Sequence, residues 1–154
     1  MIRKDYIERL IEQFAAAFAA LSKLRRERRA EEAQQFIRDT ALSALGMEYA
    51  TLTMADAAST ARLLGDPLRV VGLARLVAEE GELFHEQGEL ARAGVRWGLA
   101  LELFLEAREL GATLAGEDAQ VFAGLQQKVE PTLLSERYQR LLAGSVTPPG
   151  SRDT

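Results

Sequence analysis

Residues 81–100 read GELFHEQGELARAGVRWGLA, and their spacing decides the fold. Gly81, Ala93 and Ala100 are small, Phe84 and Trp97 are bulky, and Gly88 falls between the two groups. Small residues let two antiparallel helices approach closely, and large rings fill the space beside them. A glycine between them permits the tight turn. The stretch therefore predicts a helical hairpin over 67–110 that turns at Gly88. Asp66-Pro67 opens it, with a capping carboxylate ahead of a proline in the first turn. Each helix carries two apolar stripes. Val70, Ala74, Val77, Gly81 and Phe84 form one stripe on the first helix, and Leu73, Leu76 and Leu83 form the other. On the second helix the stripes are Ala93, Trp97, Ala100, Phe104 and Leu99, Leu103, Leu110. A helix that is apolar on two sides is packed between neighbours, so this pair is expected at the centre of the molecule.

Working outward, Tyr6, Leu10, Phe14, Ala17, Leu21 and Leu24 recur at helical spacing over 4–26, and Ala33, Phe36, Ile37, Ala41 and Leu45 do so over 30–45. Together they predict a first hairpin over 4–45, stopped by Gly46. A short helix follows over 54–64, with Thr53 and Asp56 read as its cap and first-turn acid. Two C-terminal helices are expected within 117–142, separated at Pro131. The tail GSVTPPGSRDT over 144–154 is rich in turn residues and lacks anchoring bulk, so it is read as disordered. The expected architecture is all-α, a single domain over 1–143 of six to seven antiparallel helices.

Composition agrees. The chain has 154 residues, 47% of them apolar and 27% charged, enough for one domain with a real core. Alanine and leucine supply 49 residues, whereas valine and isoleucine together supply 11, a balance that favours helix over strand. No cysteine is present, which excludes disulfides, thiolate metal sites and a cysteine nucleophile. A single histidine excludes multi-histidine zinc patterns. The net charge of −4 gives no global basic field for nucleic acid. No apolar run approaches the ~20 residues needed to span a bilayer. A cytoplasmic protein without a membrane partner is the expectation.

The pattern Gly81-x₂-Phe84-x₃-Gly88-x₄-Ala93-x₃-Trp97-x₂-Ala100 resembles the tetratricopeptide repeat, a helix–turn–helix unit of ~34 residues. A shift of 60 residues places Leu21, Leu24, Arg28, Ala33, Ile37 and Thr40 at the matching positions. Ala33 and Ile37 fit, and both glycines are replaced. The opening Met1-Ile2-Arg3-Lys4-Asp5-Tyr6-Ile7 also looks like the start of a bacterial family of unknown function that continues through such hairpins. The likeness covers most of residues 1–110. It implies a repeat-like helical scaffold and carries over no catalytic residue.

Three constellations stand out. KLRRERR at 23–29 holds Lys23, Arg25, Arg26, Arg28 and Arg29, a candidate contact for an acidic protein. Glu82, His85 and Glu86 share a helix with Glu79, and Glu102 and Glu106 lie on the next. Two such carboxylate rows would suit a hard cation. Neighbouring arginines favour two solvated faces instead, and a di-iron bundle would need a second Glu-x-x-His. Ile11, Phe14 and Phe18 form an apolar patch that would suit a homodimer face. Gly111-x₄-Gly116 lacks the Lys-Ser or Lys-Thr of a phosphate loop.

The expected function is a non-enzymatic protein–protein interaction scaffold or adaptor without cofactor, whose groove receives a helix or an extended peptide. Its protein partner is of unstated identity, and homodimerisation is a companion reading. Binding of a divalent metal or small molecule by the carboxylate rows is the alternative.

Overall fold

A computed structural model describes residues 2–145, and among these it contains eight α-helices and no strand. They are α1 (Ile2–Arg26), α2 (Ala30–Thr40), α3 (Tyr49–Met54), α4 (Ala57–Leu64), α5 (Pro67–Glu86), α6 (Leu90–Glu109), α7 (Gly116–Lys128) and α8 (Glu136–Ser145). A π-helical turn, Ala41–Leu45, continues α2, and a 3-10 turn, Pro131–Leu133, precedes α8. No helix among the described residues is long and apolar enough to cross a membrane.

Local chemistry sets the boundaries. Asp66 caps α5 by accepting the Leu68 N–H at 2.8 Å, with Pro67 in the first turn. The expected helix over 54–64 begins instead at Ala57, and a separate short helix that the sequence did not lead us to expect, α3, precedes it. Asp56 accepts the Ser59 N–H at 2.8 Å and so starts α4 anew. Thr53 turns its hydroxyl back to the Tyr49 carbonyl at 3.0 Å and caps nothing. At the other end of the chain, Gly144 and Ser145 belong to α8, so the expected tail does not begin at 144. Its remainder, 146–154, lies outside the described residues.

The expected centre is found where the two-sided stripes put it. Every residue from Val70 to Ala78 on α5 is buried, as is every residue from Ala100 to Ala107 on α6 except Glu102. Each fully buried Leu, Val or Phe here contributes roughly 1.5–3 kcal/mol of burial. The α5–α6 pair is antiparallel, since Arg96 meets Glu80 and Arg92 lies over the Phe84 ring. The side chains at the seam behave as their sizes dictate. A Cβ on Gly81 would sit 2.6 Å from Trp97 Cδ1, so the indole occupies the space that glycine leaves open. Phe84 is buried.

The first hairpin stacks on this pair with α1 parallel to α5. Phe14 seats its ring on Gly72, whose absent Cβ would lie 2.2 Å from Phe14 Cζ. Arg75 lies 4.0 Å over Phe18, and Arg25 reaches Glu79 at the far end. Phe14 and Phe18 are thus buried within the molecule, 6% and 8% exposed, which corrects their reading as an exposed dimer face. Ile11 alone of the three remains open to solvent. α7 is also parallel to α5, with Asp118 on Arg75 and Lys128 on Glu82.

Candidate functional site

Two helical turns lie side by side at one end of the stack. In the first, the Glu27, Arg28 and Arg29 amides donate to the carbonyls of Lys23, Arg25 and Leu24, each at 3.0 Å. In the second, the amides of Gln87, Gly88 and Glu89 donate to Leu83, His85 and Phe84 at 3.1, 3.0 and 2.8 Å. The bonding pattern is the same after a 60-residue shift, and it is the helix ending that places one residue in the left-handed region. Gly88 fills that position in the second turn at φ 80°; Arg28 fills it in the first at φ 58°. Arg28 is the sole non-glycine with positive φ among the described residues.

Between the turns opens a cleft of about 560 Å³, within the size range of ligand sites. Arg25, Arg26, Arg28 and Arg29 form one wall; Leu83, His85, Glu86 and Gln87 form the other. The four arginines are not equivalent. Arg25 is held by three carboxylates of α5: Glu86 at 2.9 Å, Glu79 at 3.3 Å and Glu82 at 3.7 Å. Arg29 is clasped by Glu27 at 2.8 Å and by Glu32, whose Oε1 lies 2.7 Å from Nε. Arg29's hydrogen bonds hold both of those carboxyls below the usual carboxylate range. Among the described residues Arg26 hydrogen-bonds only to the Ser22 hydroxyl, at 3.0 Å. The Arg28 guanidinium has no hydrogen-bond or ion-pair partner among the described residues. Lys23 is exposed and does not line the cleft. The basic run therefore divides into two spent arginines and two available ones.

The carboxylate rows do not converge. Glu82 accepts from Trp97 Nε1 at 3.0 Å and from Lys128 Nζ at 2.7 Å, and Glu86 is bound to Arg25. Glu106 is buried and takes both arms of Arg137, at 2.8 and 2.9 Å, as well as the Tyr138 hydroxyl at 2.7 Å. Burial pushes the Glu106 carboxyl up, but those hydrogen bonds outweigh it and hold the group below its ordinary value. Burial, then the neighbouring charges of Glu106 and Asp56, push Glu102 up. His85 leans on Trp97, ring centroids 5.4 Å apart. Among the described residues no three His, Asp or Glu groups are placed to hold a metal ion. The alternative built on Glu82, His85, Glu86, Glu102 and Glu106 is thus corrected, because cationic side chains from α1, α7 and α8 have already taken Glu86, Glu82 and Glu106.

Two buried acids were absent from the sequence reading in these roles. Glu80, 5% exposed, binds Arg96 at 2.7 Å and accepts the Tyr49 hydroxyl at 2.8 Å. Burial and the Glu80 charge push that phenol well above its usual value. Glu106 is the other. The signal was in the stripes: Glu80 continues Leu73, Leu76 and Leu83, and Glu106 continues Leu99, Leu103 and Leu110. A charge inside an apolar stripe needs a buried partner.

A second, smaller cleft of about 160 Å³ lies between α1, α5 and the start of α7, with Ile11, Phe14 and Gly72 among its walls. Arg75 borders it, bound to Asp118 at 2.8 Å and Glu117 at 3.4 Å.

No protein-family model, curated protein or solved structure matches the chain.

Proposed function

We propose that the chain is a non-enzymatic interaction module, built on two tetratricopeptide-like hairpins, that receives an acidic segment of a partner protein in the cleft between its two turns. The observation that carries this reading is the uneven pairing of the cleft arginines. Arg25 and Arg29 have carboxylate partners, and Arg26 and Arg28 have none among the described residues. The paired residues fix the wall, and the unpaired ones present a charge to solvent. Guanidinium groups suit carboxylates because the planar fork matches two oxygens at once. The opposite wall adds polar groups from Gln87 and His85 beside the largely buried Leu83, and its carboxylate, Glu86, is bound to Arg25 at 2.9 Å. That mixture suits a peptide better than a bare ion. The cytoplasm is where we expect the partner to be met.

A fluorescent hexaglutamate peptide titrated with the protein tests this reading. Anisotropy should rise with binding at low ionic strength, and affinity should fall steadily as salt screens the exposed charges. No binding at low salt, or binding indifferent to salt, would count against it.

A further inference from the structure

Arginine at position 28 is out of place for folding alone. The residue that ends a helix in the left-handed region is best filled by glycine, because a Cβ there crowds the following carbonyl. The sister turn has that glycine, Gly88, at φ 80°. The first turn has the same three amide bonds and holds Arg28 at φ 58° instead. Those backbone bonds would form equally well with glycine, and among the described residues no side-chain contact of Arg28 offsets the strain, since its guanidinium bonds to none of them. Backbone strain retained without an internal return is found at functional positions. Arg26 lines the same cleft with only a serine hydroxyl for company. The site thus presents two guanidinium groups that form no ion pair with a described residue.

We propose that Arg28 and Arg26 are the anchors of the cleft and that they take a doubly negative side-chain group on the bound peptide. A phosphate monoester is the single side-chain group that meets that description, since it carries close to two charges at neutral pH; an adjacent pair of carboxylates is the competing occupant that the test separates from it. This assignment rests on the interaction reading above and sharpens it to a ligand group and two residues.

Three peptides of one sequence, with phosphoserine, Asp-Asp or plain Ser at the centre, are titrated against the wild-type chain and the R28G and R26Q variants. The phosphoserine peptide should bind wild type at least about tenfold more tightly than the Ser peptide, which is the loss of one charge-assisted hydrogen bond or more. An Asp-Asp peptide that binds as tightly as the phosphoserine peptide, or more tightly, would overturn the phosphate assignment. R28G and R26Q should each weaken binding of the phosphoserine peptide by about tenfold or more. R28G should also melt about 2–4 °C higher than wild type, because glycine relieves the turn. Glycine is the residue already accepted at the sister turn, so failure to fold does not cloud this variant. If the acidic peptides bind wild type and R28G alike, or if R28G melts lower, the anchor assignment falls while the interaction reading stands. If neither acidic peptide binds wild type at all, the interaction reading falls with it.

Discussion

Glu106 lies in the leucine row of α6 and is 5% exposed, yet its hydrogen bonds to Arg137 and Tyr138 keep its carboxyl below the ordinary range in spite of burial. One turn earlier, Glu102 is pushed the other way by its own burial and by the charges of Glu106 and Asp56. The two carboxyls contribute to stability with opposite signs. A group with a depressed folded-state pKa stabilises above its unfolded pKa, and that contribution is lost as pH falls through the folded value. A carboxyl with a raised pKa disfavours the fold once pH exceeds that value. Glu106→Ala should therefore cost about 1–3 kcal/mol at neutral pH by leaving the Tyr138 hydroxyl unpaired; urea melts measure it. Glu102→Gln should raise the melting temperature at pH 7, with the gain vanishing in acid where both states are protonated. The positions of these acids were readable from the sequence, since each falls within an apolar stripe. Their partners were not. Arg137 and Tyr49 stand 31 residues away from Glu106 and Glu80, and helical periodicity reports only neighbours along one helix.

At the scale of the helix, close approach depends on glycines whose space is already occupied. Gly81 under Trp97 was legible from the hairpin pattern, because both belong to it. Gly72 was not, because the ring that fills it, Phe14, belongs to a helix 58 residues earlier and no local spacing links them. Gly72→Ala would set a Cβ 2.2 Å from Phe14 Cζ in a buried cluster. Its gain in helix propensity, about 1 kcal/mol, is outweighed by the overpacking, for a net loss of about 1–2 kcal/mol. The double variant Gly72→Ala/Phe14→Leu should lose less than the two single changes together, since the smaller side chain vacates the space. Thermal melts of the four proteins check the cycle. The break between α3 and α4 also escaped the sequence reading. Thr53 and Asp56 are both acceptable caps, and only the tertiary setting, with Thr60 bonding the Leu52 carbonyl at 3.0 Å, decides between them.

For the molecule as a whole, α5 is the axle, buried on nearly all sides, and the later helices are attached to it and to α6 through the buried side chains Phe122, Leu125, Leu134 and Tyr138, with Arg75–Asp118, Glu82–Lys128 and Glu106–Arg137 beside them. Hydrogen exchange should accordingly be slowest in α5 and the second half of α6 and fastest in α7 and α8, where few residues are buried. The 60-residue shift exposed the kinship of the two turns in advance. It did not reveal that α1, α5 and α7 all point the same way, because the pairs that fix this orientation join distant helices. We expect that shared direction to admit a further helix pair: a duplicate of residues 67–115 spliced in after Ala115 would meet α7 with the same surface that α5 and α6 offer it now. The product should be a longer protein that still folds, with an added turn built on glycine and the arginine-bearing edge undisturbed at its far end.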